Sequence, residues 1–282
     1  MPRMTPVVKV LLIINIGIFA LQVLLKSYLN VDLVDIFALR YFGAETFAPY
    51  QLLTHMFLHD MSSFFARNPS FGSIFHLLGN MYALYIFGPP LETYFDSKKF
   101  LALYMIAGLG AAVLHVGVSA WEVQNTEANI TEYKTHPTPA EFLALTKEEG
   151  VYDNSSELRK FVYLFEENPT DAAVINRSKS YWADGIAYSK RNIKTVGASG
   201  AVFGILAAFG IIFANIKLVL LFPPIPIKAK YLVFGYALYE VYAIYQANPT
   251  DNVAHFAHIG GFIFGIILVK LWGKNDKPMR WN

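Results

Sequence analysis

The octapeptide Gly197-Ala198-Ser199-Gly200-Ala201-Val202-Phe203-Gly204 opens a long apolar run. Ser199 has a glycine two residues before it and another directly after it, so other backbone can approach it closely. A helix that begins at this serine directs its free N–H groups and the positive end of its dipole forward, which suits an oxyanion. Alternatively, Gly197, Gly200 and Gly204 form only a small-residue packing face of a membrane helix, with Ser199 bonded to its own backbone. The stretch alone fits both interpretations.

The composition of the 282-residue chain is typical of a membrane protein. Apolar residues make up 55% of the chain and charged residues 16%, whereas soluble domains carry about 25% charged residues. Cysteine is absent, which excludes a disulfide framework and a thiolate metal site. The sequence contains no repeat and no nucleic-acid-binding motif, so we expect no nucleic-acid partner.

Six apolar segments of about 16–22 residues are near the length that a bilayer core requires. They are residues 7–25, 71–87, 100–120, 196–214, 225–245 and 253–272. Prolines end the second segment and introduce the fifth, at Pro89-Pro90 and at Pro223, Pro224 and Pro226. The segments predict an all-α membrane protein, a bundle of six transmembrane helices in which the lipid bilayer supplies much of the surroundings.

The distribution of basic residues predicts the orientation of the bundle. An even number of spans puts both termini on one side, whose ends and short loops carry eleven basic residues against five on the opposite side. The positive-inside rule then predicts cytoplasmic termini. The first segment has no small-residue cleavage site after it, which predicts a retained helix rather than a signal peptide. The absence of a targeting peptide and the six-helix core favour, by analogy, an integral, multi-pass protein of a bacterial inner membrane.

Two polar stretches lie on the predicted outer side. Within the first, residues 50–59 are amphipathic, and we expect them to lie in the membrane interface. The second, residues 121–190, carries 12 of the 21 acidic residues against 7 of the 23 basic ones, which predicts a soluble insertion. Its apolar patterns at 142–145 and 158–165 predict two or three short amphipathic helices, with the remainder irregular. The predicted organisation is 1–120 with helices 1–3 and the interfacial loop, 121–190 as the acidic insertion, and 191–282 with helices 4–6.

Polar residues inside the spans are few, and their cost in free energy usually indicates a function. His76 and Asn80 are four residues apart in the second segment, so both lie on one helical face. His255 and His258 are three apart in the sixth. Each pair has a simpler interpretation as interhelical hydrogen bonding or, for the two histidines, as a metal site. Zinc needs three or four ligands, and we expect no acidic residue of these segments near the histidines, so we predict no metal and no cofactor.

A small-residue face follows the histidines of the sixth segment. Gly261 and Gly265 allow a close approach to a neighbouring helix, and the face of Gly200 and Gly204 in the fourth segment is a suitable neighbour. That pairing would bring His258 and Ser199 together. Taken jointly, the serine, the histidines and the asparagine are the groups that acyl transfer needs: a nucleophile, a base, and donors for a developing oxyanion.

Three ordered motifs on the second, fourth and sixth segments then resemble the rhomboid family of intramembrane serine proteases. They are His76-xxx-Asn80, Gly197-x-Ser199-Gly200 and Ala257-His258-xx-Gly261-xxx-Gly265. The resemblance covers residues 1–120 and 191–282 and leaves the insertion outside. The outer first loop of this chain lacks the Trp-Arg pair of many family members. Residues 60–70 lengthen the link between this loop and His76.

The resemblance implies a site and a substrate class. Ser199 would be the nucleophile, and His258 the general base in a dyad without an acid. His76 and Asn80 would be side-chain oxyanion donors beside the Ser199 N–H, and Phe203 falls where the family often carries a ring stacked on the histidine. The residues that support this arrangement are Gly197, Gly200, Phe203, Gly261 and Gly265. The implied substrates are transmembrane proteins, and the insertion could bind an outer-side partner.

Two other functional classes stay open at this point. A small transporter or channel could line a path with the same polar residues, but the sequence has no inverted repeat, and we recognise no intramembrane acid–base pair to carry a coupling ion. A catalytically weak or inactive rhomboid-like binding protein would keep the fold and bind membrane clients. Such a protein is expected to lose the serine or the histidine, and here both are present.

Overall fold

The computed structural model describes residues 4–65, 71–219, 225–246 and 253–273. The helices before the insertion are α1 (Pro6–Leu29), α2 (Leu33–Phe37), α3 (Gln51–Thr54), α4 (Gly72–Phe95) and α5 (Ser97–Thr135), with a 3₁₀ turn at His55–Phe57. Those of the insertion are α6 (Pro139–Glu148), α7 (Ser156–Glu167), α8 (Ala172–Arg177) and α9 (Asp184–Arg191), with a π-helical turn at Ser178–Ala183. The rest are α10 (Ser199–Ile212), α11 (Ala229–Gln246) and α12 (His255–Trp272), and two strands, β1 (Lys217–Val219) and β2 (Pro226–Lys228), pair antiparallel between α10 and α11.

Three helices of the described residues, α1, α5 and α12, are long and apolar enough to cross a membrane. Helix α10 is apolar but shorter, and α4 and α11 are long enough but less apolar. The prediction of a helical membrane protein is therefore confirmed, while the count of six spans and their orientation stay predictions. The charge count behind the orientation includes Arg3, Lys274, Lys277 and Arg280, which lie outside the described residues.

The predicted end of the second segment at residue 87 is wrong. Helix α4 continues through Pro89 and Pro90 to Phe95. Prolines are tolerated in membrane helices, where neighbouring groups and local adjustments compensate for the lost backbone hydrogen bonds. One turn later, Thr93 Oγ1 donates a hydrogen bond to the Pro89 carbonyl at 2.8 Å.

The C-terminal part of α4 also holds the start of α1. The buried Glu92 carboxylate accepts hydrogen bonds from the backbone N–H groups of Val7 and Val8, both at 3.0 Å. It also accepts one from Ser97 Oγ at 2.6 Å. Because Thr5 makes no side-chain cap at this end of α1, the carboxylate supplies the acceptors that the first helical turn lacks.

The fifth predicted segment starts too early. Residues 226–228 belong to β2, and α11 begins only at Ala229. Pro226 lies in this strand, whereas Pro223 and Pro224 lie outside the described residues. Proline lacks an N–H and cannot continue a helix, so the extended hairpin replaces the first helical turn that the apolar composition suggested.

Helix α10 lies at the centre of the membrane part. It packs against α4, α5, α11 and α12, and every residue from Gly200 to Gly210 is buried. A helix that is apolar on all faces must be covered by protein or by lipid, and here other helices cover it. The position of Ser199 is therefore fixed by the packing of four neighbours.

The insertion is a helical bundle on an extension of α5. At about 1.5 Å per residue, the 39 residues of α5 span about 58 Å, well beyond a hydrocarbon core of about 30 Å. Its last turns pack with α6, α7 and α9 around a core that includes Ile130, Phe142, Leu158, Phe165 and Ile186. The two short helices that the pattern indicated are α6 and α7. The stretch expected to be irregular is helical too, because α8, the π-helical turn and α9 complete this core, and the predicted boundary at 121 falls inside α5.

The outer loop between α1 and α4 is hydrogen-bonded both to the segment before α10 and to α1. Leu39 and Thr195 exchange two backbone hydrogen bonds of 2.9 Å. Gln22 of α1 donates to the His59 carbonyl at 3.0 Å and accepts from the His59 N–H at 3.1 Å. The lengthened link that follows includes residues 66–70, which lie outside the described residues.

Candidate active site

Ser199 is the first residue of α10, at the end of a turn that only glycine adopts readily. Gly197 has a φ of +132°, a region that disfavours side chains with a Cβ. Its N–H donates to the His55 carbonyl at 2.9 Å, so the outer loop holds this turn. Ala198, at the cap position, provides no side-chain cap for α10. The N–H groups of the first turn therefore stay available as donors.

His55 is a fixed and neutral anchor for that turn. It is buried, and burial lowers the pKa of His55 to about 4, because desolvation disfavours the charged ring. Its Nδ1 lies 2.9 Å from the Gln51 carbonyl, which only accepts hydrogen bonds, so Nδ1 carries the proton of the neutral ring.

Helices α10 and α12 meet through glycines. A Cβ on Gly261 would lie 1.8 Å from the Gly200 carbonyl oxygen, and one on Gly265 would lie 2.5 Å from that of Gly204. The two faces that the sequence pairs are thus in contact at backbone distance. The missing side chains of Gly200 and Gly204 instead face α5, because a Cβ there would lie 2.5 and 2.2 Å from the Cβ atoms of two α5 alanines.

This close approach puts the imidazole of His258 beside the serine face of α10. Phe203 is one turn after Ser199, so their side chains lie on the same face. The rings of Phe203 and His258 are stacked, with centroids 4.2 Å apart and planes inclined by 10°. Tyr236 of α11 covers the assembly, with its centroid 5.0 Å from that of Phe203.

His76 of α4 approaches the same space from the other side. The position of a Cβ on Gly197 would be 3.3 Å from His76 Nε2 and 3.6 Å from Ser199 Oγ, so both atoms border one small volume. Asn80 is buried one turn further along α4, and its Nδ2 donates to the His76 carbonyl at 3.0 Å. That contact uses one of the two amide protons of Asn80.

The structure adds Glu240 of α11 to this group, and here the sequence interpretation is wrong. Its Oε2 lies 2.9 Å from His258 Nδ1 and 2.5 Å from His255 Nδ1, although we expected no acidic residue near these histidines. An acid inside an apolar segment is a signal in its own right. It is missed because spacing along one segment does not show which residue of another helix faces it.

Glu240, His255 and His258 are close enough together to be considered as ligands of a metal ion. Their Nδ1 and Oε2 atoms, however, lie at hydrogen-bond distances of 2.5 and 2.9 Å. Ligands of a tetrahedral zinc ion, with bonds of about 2.0–2.1 Å, are about 3.4 Å apart. The observed distances therefore correspond to two imidazole N–H groups that donate to one carboxylate oxygen.

A model of the rhomboid domain matches residues 46–123 and 162–275. The chain belongs to the rhomboid family. It is 29% identical over 196 residues to an uncharacterized mitochondrial rhomboid protein of Schizosaccharomyces pombe, over 68% of this chain and 45% of that protein. The chain thus spans less than half the length of this relative. The match to the domain leaves out α1 and residues 124–161, which lie within the insertion.

Family membership and the three long apolar helices make this rhomboid an integral membrane protein. The matched ranges contain His76, Asn80, Ser199, His258 and Glu240. The bacterial inner membrane and the cytoplasmic termini stay predictions, and the name of the S. pombe relative assigns that protein to the mitochondrion.

Two imidazole nitrogens of this rhomboid belong to the candidate site and are buried. Within the described residues, His76 Nε2 and His258 Nε2 are buried and make no hydrogen bond. Buried polar atoms are nearly always hydrogen-bonded. The two nitrogens are therefore available to a ligand, and His76 Nε2 is the one that shares a small volume with Ser199 Oγ.

Proposed function

We propose that this rhomboid is a serine endopeptidase that cleaves transmembrane helices of membrane proteins with Ser199 and His258. The observation that carries the proposal is the convergence of Ser199 Oγ and His76 Nε2 on one small volume at Gly197. The stacked His258 ring lies on the same face of α10 as the serine. A nucleophile, a base and an oxyanion donor on three helices are what peptide-bond hydrolysis requires.

In the proposed reaction one proton is transferred twice, first to His258 and then from His258. Ser199 Oγ attacks the peptide carbonyl and gives its proton to His258 Nε2, which later donates it to the leaving amine. The Ser199 N–H, His76 and Asn80 would donate hydrogen bonds to the oxyanion formed in between. Water then hydrolyses the acyl-enzyme by the same route.

The surface of α11 offers an entrance for a membrane substrate. Tyr236, Tyr239, Tyr242 and Tyr245 are exposed along it, and Tyr236 contacts the ring that covers His258. Helices α4 and α11 both pack on α10, yet they make little direct contact within the described residues. A substrate helix between them would reach the serine once its own hydrogen-bonded backbone had unwound.

A serine-reactive fluorophosphonate probe separates enzyme from binding protein. The detergent-purified chain should label, and Ser199→Ala should not, while a reconstituted transmembrane substrate should be cleaved only by the unmodified chain. Substrate binding without labelling or cleavage would favour the inactive rhomboid-like binding protein instead.

Replacing Asn80 with alanine should slow cleavage without abolishing it. Loss of one oxyanion donor typically lowers kcat about 10²–10³-fold, and His76 and the Ser199 N–H would still donate. The measurement is kcat on a reconstituted substrate, with melting temperature as a check on folding. An unchanged kcat would mean that Asn80 is not an oxyanion donor and serves only in its hydrogen bond with the His76 carbonyl.

Replacing residues 125–185 with a short Gly/Ser linker should preserve both probe labelling and cleavage of a generic substrate. The bundle has its own core. Glu127 and Arg191, at its two ends, form an ion pair at 2.5 Å, so a short linker can join the cut ends at modest entropic cost. We propose that the insertion controls substrate access or binds an outer partner. Loss of labelling in a folded deletion variant would make it part of the catalytic unit.

A further inference from the structure

Glu240 is a buried carboxylate that the serine–histidine reaction described above does not use. Only 1% of its surface is exposed, and it lies on α11 among helices of the membrane part. A buried carboxylate is costly unless it is paired and hydrogen-bonded. Glu240 meets this condition through its hydrogen bonds to two imidazoles, and a costly group kept in this way indicates a role beyond packing.

The hydrogen bond to Glu240 determines which nitrogen of His258 carries the proton. An ionised carboxylate only accepts hydrogen bonds, so the His258 Nδ1 at 2.9 Å must donate. In the neutral ring this leaves Nε2 with a lone pair. That is the tautomer a general base needs, and it presents the nitrogen that has no partner within the described residues.

The ring is also fixed in orientation. Phe203 stacks on its face, and Glu240 holds its Nδ1 edge, so rotation about the side-chain torsions would break one contact or the other. Glu240 is in turn held by the Nδ1 of His255 on the same oxygen. Side chains from three helices thus restrain the imidazole.

We propose that Glu240 is the positioning residue for His258, with His255 as the second anchor of the carboxylate. The unit would be Ser199-His258-Glu240 rather than a dyad without an acid, and this inference rests on the proposed protease function. When His258 takes the proton from Ser199 Oγ, the Glu240 carboxylate stabilises the resulting imidazolium and accepts no proton itself. Nδ1 keeps its hydrogen throughout, and only Nε2 gains and returns a proton.

The test is the kinetics of Glu240→Gln in the full-length, reconstituted protein. Glutamine keeps the size of the side chain and can accept one hydrogen bond, but it has no charge to stabilise the imidazolium. We expect kcat to fall about 10²-fold, at the lower end of what acid–base catalysis contributes. KM should be unchanged, because Glu240 does not contact the substrate. His255→Gln should lower kcat less, since the bond between Glu240 and His258 remains.

Glu92→Gln is the matched control, because Glu92 is also a buried carboxylate but caps α1. It should lower the melting temperature and leave kcat per folded molecule unchanged. If Glu240→Gln does not fold, Glu240→Asp keeps the charge with a side chain shorter by one methylene. It should fold and lose about tenfold in kcat.

The outcomes separate the two proposals. If the unmodified protein cleaves substrate, and the Glu240 variants change only melting temperature or KM, the positioning role is wrong and the protease function stands. If the unmodified, folded protein neither cleaves nor labels at Ser199, the protease function itself is wrong, and the role of Glu240 falls with it.

Discussion

Substituting either Ser199 or His258 with alanine should abolish cleavage, with a loss in kcat on the order of 10⁶-fold. The serine without its base is a weak nucleophile, and the base without the serine has no proton to accept. Because the two act as one unit, the double variant should be no worse than either single variant. Cleavage of a reconstituted transmembrane substrate and fluorophosphonate labelling give the two readouts.

Ser189→Ala and His136→Ala are matched controls in the insertion, where both residues are exposed. They should cleave and label like the unmodified protein. Appreciable turnover by Ser199→Ala would contradict the protease function directly. Labelling of His258→Ala at the unmodified rate would leave Ser199 reactive for a reason other than an imidazole base.

The sequence predicted the structure correctly where the functional residues follow a local pattern. The glycines around Ser199 indicated the turn at Gly197 and the helix that follows. The small-residue spacing of Gly261 and Gly265 indicated the helix pairing that α10 and α12 make. Such features are readable because each depends on residues that are close together within one segment.

Other features depend on contacts that one segment does not encode. Pro89 and Pro90 seemed to end a helix, but α4 continues to Phe95, since membrane helices tolerate prolines where their neighbours compensate. Glu240 was overlooked because its importance comes from histidines on another helix. The part of the insertion after residue 171 was expected to be irregular, but its helices contribute Val174, Ala183 and Ile186 to the core shared with α5 and α7.

Among the glycines of the described residues, Gly261 should be the one where replacement with alanine does the most damage. The added Cβ would lie 1.8 Å from the carbonyl oxygen and 2.7 Å from the carbonyl carbon of Gly200. Both atoms belong to the backbone of α10 and cannot rotate away, so α12 must move outward and carry His258 away from Ser199. A displacement of about 1 Å can lower a rate about 10²-fold, and overpacking typically costs about 1–3 kcal/mol of stability. We expect kcat to fall at least 10²-fold and the melting temperature to fall with it.

Gly117→Ala on α5 is the control for adding a methyl group to a membrane helix, because nothing lies within 4 Å of its added Cβ. It should leave kcat unchanged and keep or slightly raise the melting temperature, since alanine favours helices over glycine by about 1 kcal/mol. Assays well below both melting temperatures separate lost geometry from lost folding. If Gly261→Ala cleaved as fast as Gly117→Ala, the contact between α10 and α12 would not set the distance from His258 to Ser199, and the base would have to be positioned by another part of the molecule.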